Sequence, residues 1–205
     1  MICEISQLRP TFNHLIPLIS KDRMTMSIAI KILAACALVT GATACFPHLV
    51  LDEPAALAGR SYKAILRVGH GCDGSPTTAI KVIIPAGFQG AKPMPKAGWT
   101  LSITRAKLPK PLESHGKTVT EDVAEITWSA SSKDSWLPDA WYDEFVLRGS
   151  LPGLAGPMWF KVLQTCEKGS HNWAEVPAVG TSTEGLKSPA ALLGIIESGS
   201  AAHPH

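Results

Sequence analysis

Long apolar runs, basic clusters and closely spaced cysteines are what this sequence does without. Ile28 to Val39 is broken by Lys31, and Ala190 to Ile196 is shorter still; neither approaches the ~20 residues that a helix needs to cross a bilayer. A permanent membrane span is therefore not expected. No run of Lys and Arg is present, which argues against nucleic acid or an anionic membrane surface as the partner. The sequence has no G-x-S-x-G elbow, no H-E-x-x-H, no phosphate-cradling glycine loop and no C-x-x-C. Asp143 and Glu144 are adjacent, but neighbours on a strand point to opposite faces, so they form no general acid/base pair. An enzyme is not expected from these residues.

What is present divides into a leader and a domain. Lys21, Arg23 and Lys31 lie ahead of or just inside the apolar run, which decays into Gly41-Ala42-Thr43-Ala44. That is the pattern of a cleaved secretory signal, with Met24 or Met26 at its natural start and cleavage after Ala44. Residues 1–44 are thus expected to be an upstream extension and signal peptide, residues 45–189 a single domain, and residues 190–205 a flexible tail. The exported chain carries 15 basic and 15 acidic residues, a neutral balance. Its expected address is the periplasm.

Three cysteines remain after cleavage. In an oxidising compartment Cys72 and Cys166 are expected to form a disulfide, closing a loop of about 95 residues. Cys45 is left over as a free thiol, an intermolecular link or a lipidated N-terminus, although Ala42 stands where a lipoprotein signal usually has Leu.

Short strand-like runs separated by turn signals dominate residues 48–166, and little of the sequence reads as helix. His48 to Asp52, Tyr62 to Val68, Thr77 to Ile84, Thr100 to Arg105, Ala124 to Ala130, Tyr142 to Ser150 and Met158 to Thr165 are rich in β-branched, aromatic and aliphatic residues. Seven or more short strands predict an all-β sandwich. The prolines are expected between strands or at their ends. Lys107 to Thr120, polar and proline-bearing, reads as a long surface hairpin loop.

One loop concentrates the chemistry. Leu66 to Thr78, LRVGHGCDGSPTT, holds His70, Cys72 and Asp73 between Gly69, Gly71 and Gly74, where glycine lets the backbone turn sharply. A Cys72–Cys166 bridge would bring this loop near His171 and Trp173. Imidazoles with one carboxylate suit Cu(II) better than magnesium or calcium, which call for more oxygen. Each residue also has a plainer role: a turn holding half a cystine, a solvated histidine, a core tryptophan. His203 and His205 close the sequence and can bind metal adventitiously.

The strings His48-Leu49-Val50-Leu51-Asp52-Glu53-Pro54, Ala58-Gly59, Ser75-Pro76-Thr77-Thr78 and Lys92-Pro93-Met94-Pro95-Lys96-Ala97-Gly98-Trp99, with Glu144-Phe145 and Trp173, resemble the YcnI-like exported domains. The resemblance covers roughly His48 to Pro189. It implies an immunoglobulin-like or fibronectin-like β-sandwich, of about seven to nine short strands, that binds copper through a brace, in which the amine and imidazole of an N-terminal histidine both coordinate, with a carboxylate and a tryptophan close by. Carried onto this sequence, His48 matches the brace histidine, Trp173 the tryptophan and Asp73 the carboxylate, with His70 beside it. A brace requires trimming past Pro47 to expose His48; otherwise copper is held by side chains alone or the site has been lost. The implied function is a periplasmic Cu(II) chaperone or scavenger that passes copper to an envelope copper-handling protein. The other function class open to such a sequence is a metal-free structural or interaction domain of the cell envelope. Copper titration of the purified protein separates the two.

Overall fold

A computed structural model describes residues 49–197 apart from His115 and the side chain of Ser114. The leader, Cys45, His48, His203 and His205 lie outside the described residues. Eleven strands are present among them: β1 (Val50–Leu51), β2 (Ala55–Leu57), β3 (Ser61–Val68), β4 (Thr77–Ile83), β5 (Gln89–Pro93), β6 (Trp99–Ser114), β7 (Lys117–Ala130), β8 (Asp143–Ser150), β9 (Gly156–Cys166), β10 (Ser170–Trp173) and β11 (Ala191–Ile196). The described residues contain one helical element, a 3-10 turn at Lys133–Ser135.

Two sheets face each other. One runs β1-β3-β8-β5; the other runs β2-β11-β9-β4-β7-β6, with β10 also paired to β9. Pairing is antiparallel except where β11 meets β2. The period-2 alternation of β3 selects its inner face: Tyr62, Ala64, Leu66 and Val68 are buried, while Lys63 and Arg67 are exposed. Leu66, Phe145 and Leu147 from the smaller sheet meet Ile80, Trp128 and Phe160 from the larger one. Burying a side chain of this size contributes about 1.5–3 kcal/mol. Trp128 is fully enclosed, stacks edge to face on Phe145 at 5.8 Å, and donates its indole N–H to the Met94 carbonyl at 3.0 Å.

The predicted β-sandwich is present, with three differences in detail. Residues 107–120 are mostly strand, since β6 runs to Ser114 and β7 starts at Lys117. Pro109 and Pro111 consequently lie inside a strand. That strand is the edge of its sheet, and the register slips between Lys107 and Leu112; a missing N–H is tolerated at such an edge. The third difference is β11, which occupies residues expected to begin a flexible tail. Ala191, Leu193 and Ile195 alternate into the core and pair along β9. Burial of that face outweighs the absence of any flanking strand signal.

Candidate metal centre

The loop between β3 and β4 is built around a tight turn. Cys72 and Ser75 exchange N–H···O bonds of 2.9 Å in both directions, and the two residues between them, Asp73 and Gly74, have φ of 51° and 84°. Two positive φ values in a two-residue connection are the signature of a type I′ turn, for which Asp-Gly is among the favoured pairs. Gly71 is demanded for another reason: a Cβ there would stand 1.9 Å from the Ser75 carbonyl oxygen. Its N–H donates to Asp139 Oδ1 at 2.9 Å, tying the turn to the chain that leads into β8. The Cys72–Cys166 disulfide, with Cα atoms 5.9 Å apart, ties it to the end of β9.

The hairpin of β9 and β10 supplies the other half. Gly169, at φ 78°, turns the chain, and the ladder then sets His171 opposite Gln164 and Trp173 opposite Val162. His171 and Trp173 are two residues apart and so share a face. Trp173 is buried, and its indole N–H donates to Gln164 Oε1 at 3.0 Å. The amide nitrogen of Gln164 donates to Thr77 Oγ1 and to the His70 carbonyl oxygen, each at 2.7 Å.

Three rings meet as a result. The centroids of His70 and His171 are 5.9 Å apart, those of His70 and Trp173 6.3 Å, and those of His171 and Trp173 5.2 Å. Both imidazoles are half-buried. His70 Nδ1 lies 2.6 Å from the Gly71 carbonyl oxygen, which can only accept, so Nδ1 carries a hydrogen and Nε2 is the ring nitrogen to consider as a metal donor. With metal–nitrogen bonds of ~2.0–2.1 Å, two imidazoles sharing one ion have centroids roughly 4.5–6 Å apart. The separation of His70 and His171 fits. Among the described residues, no three His, Cys, Asp or Glu side chains are grouped to hold a metal ion.

Of the residues singled out in the sequence, the structure gathers His70, His171 and Trp173 and bridges Cys72 to Cys166. Asp73 is exposed at the corner of the turn, where its tolerance of positive φ accounts for its presence. The carboxylate that contacts the histidine loop is Asp139, which sits 68 residues from Gly71 in the chain and carries no local signal of that role. His48 lies outside the described residues. In the register of β1 on β3, Val50 pairs with Arg67 and Leu51 with Leu66, so the described chain starts at the end of β3 that leads into the His70 loop.

Residues 48–195 match a family described as a domain of unknown function, DUF1775. The chain belongs to this family. A crystal structure of an uncharacterized protein from Nocardia farcinica, reported to reveal an immunoglobulin-like fold, is similar with a TM-score of 0.56 and 22% sequence identity, over 72% of this chain and 97% of that one. At that identity the likeness shows the fold. No curated protein matches the chain. The YcnI-like resemblance therefore holds for family and for fold, and the DUF1775 match, residues 48–195, takes in both strands of the histidine hairpin and all but the last residue of β11.

Proposed function

We propose that this DUF1775 domain is an extracytoplasmic copper-binding protein, a Cu(II) chaperone or scavenger in copper homeostasis. The observation that carries the reading is the pair of half-buried imidazoles, His70 and His171, at a separation suited to one shared ion and backed by the buried Trp173. An imidazole-rich site suits copper, which also heads the affinity order of the divalent first-row metals. Two donors leave coordination positions open. His48 is the candidate for a third, supported by the β1 register, which starts the described chain beside this loop. Open coordination by few residues suits a protein that must release its cargo to an envelope copper-handling partner. In this reading Asp139 holds the loop, and Asp73 shapes it.

The test is titration of the purified exported protein with Cu(II), followed by tryptophan emission. Paramagnetic copper beside Trp173 should dim the fluorescence, and Trp173→Phe should remove most of that change. His70→Ala and His171→Ala should each weaken binding at least tenfold, while deletion of residues 199–205 leaves it intact. Acidification should release the metal, since a protonated imidazole has no lone pair to give. Equal weakening by the tail deletion and by His70→Ala would sink the proposal.

The metal-free interaction domain has one observation on its side. Trp141 and Tyr142 are 65% and 56% exposed, on the same segment that Asp139 ties to the His70 loop, and rigid exposed aromatics are common anchors of protein interfaces. A protein that binds no copper in the titration would favour this reading.

A further inference from the structure

We infer that Gln164 is the positioning residue of this centre, a single buried side chain that fixes the His70 backbone relative to Trp173 on the histidine hairpin. Its consequence for copper rests on the function proposed above; its geometry does not. The inward positions of β9 are Met158, Phe160, Val162, Gln164 and Cys166. An apolar residue would continue that row at lower cost, because a buried amide must find partners for both its donor and its acceptor. Gln164 is 1% exposed and, with Thr77, one of two buried polar side chains among the described residues.

Every partner it finds belongs to the site or adjoins it. Nε2 donates to the carbonyl oxygen of His70 and to Thr77 Oγ1, while Oε1 accepts from the indole of Trp173. In the β9–β10 ladder its direct cross-strand neighbour is His171. The orientation of the amide follows from chemistry: an indole N–H can only donate and a peptide carbonyl can only accept, so the flipped amide would fail at both ends. One half of the group therefore holds the His70 backbone and the other half holds Trp173. The histidine loop and the hairpin are 94 residues apart in sequence at this contact, and the amide spans them independently of the disulfide.

Gln164→Met is close to isosteric and removes both halves, and Gln164→Leu removes both with a shorter side chain. In metal-free protein with the disulfide formed and native far-ultraviolet circular dichroism, NMR should show the His70 ring signals shifted and broadened and the Trp173 indole N–H signal moved in both variants. Copper affinity should fall roughly 10–100-fold, the range for residues that orient metal ligands. In a His70→Ala background Gln164→Met should cost nothing further, since a residue acting through His70 has nothing left to position. Unchanged His70 ring signals in a folded variant, or a copper loss that adds fully to that of His70→Ala, would overturn the assignment. Should Gln164→Met fail to fold, Gln164→Leu decides by the same two measurements. A wild-type protein that binds no copper would end the copper reading alone, because the metal-free ring signals still decide whether Gln164 positions the cluster.

Discussion

Tyr62 shows how one buried polar atom makes stability depend on pH. Its ring lies in the core and its hydroxyl donates to the Glu53 carbonyl oxygen at 2.6 Å. Burial, with the charges of Glu53 and Asp52 adding to it, pushes the phenol from 10.0 up to about 12. The folded value lies above the unfolded one, so this contribution is complete below pH ~10 and is lost as pH rises through about 12. Urea unfolding between pH 8 and 11.5 should show stability falling by about 1–2 kcal/mol across the upper part of that range, the full shift being discounted for solvent screening. Tyr62→Phe should flatten the slope; a slope unchanged by the substitution would place the titrating group elsewhere. At this scale the sequence was partly legible. Asp-Gly at residues 73–74 is a turn signal as much as an acid, and the structure uses it as a turn. Asp139 could not have been found, because its contact with Gly71 exists only once two distant segments have packed. Gln164 did leave a trace: the parity of Met158, Phe160 and Val162 puts it on the inner face, and an amide on an apolar face asks for a reason.

Elements are legible to the extent that burial on one face imposes a period. The seven strand runs read from the sequence correspond to β1, β3, β4, β6, β7, β8 and β9, with shifted ends. The other four are short, and pairing with a neighbour explains them better than composition does: β2 is held by β11, β5 by β8, β10 by β9. Pro109 and Pro111 misled because a proline signal carries no information about whether a strand lies at an edge. The disulfide expected from Cys72 and Cys166 is present, and its work is at this scale, since it joins the β3–β4 loop to the end of β9 across 94 residues. Cys72→Ser or Cys166→Ser should cost about 2–5 kcal/mol in chemical denaturation and leave one titratable thiol in place of the bond. The ring cluster should survive the loss at low temperature, because Gln164 still links the two segments. Loss of copper binding in a fully folded Cys72→Ser protein would show that the amide alone does not hold the centre.

For the molecule as a whole, the candidate donors exist as a group only in the folded state. His70 follows one sheet and His171 extends the other, and they meet because β4 and β9 pair across the larger sheet while the Gln164 amide draws the two loops together. An unfolded chain offers the same imidazoles dispersed along its length. A ligand that binds the folded state and ignores the unfolded one stabilises by about 2.7 kcal/mol when its free concentration is a hundred times the dissociation constant. For a chain of this size each kcal/mol raises Tm by about 2–4 °C, so saturating Cu(II) should raise it by about 5–10 °C. Calorimetry with and without Cu(II) checks this on the wild type, on the His70→Ala/His171→Ala double variant and on the protein lacking residues 199–205. The shift should vanish in the double variant and persist without the tail. An equal shift in the double variant would mean that copper stabilises from a different surface, and the convergence of the two sheets on His70 and His171 would then have to be explained by packing around Trp173 alone.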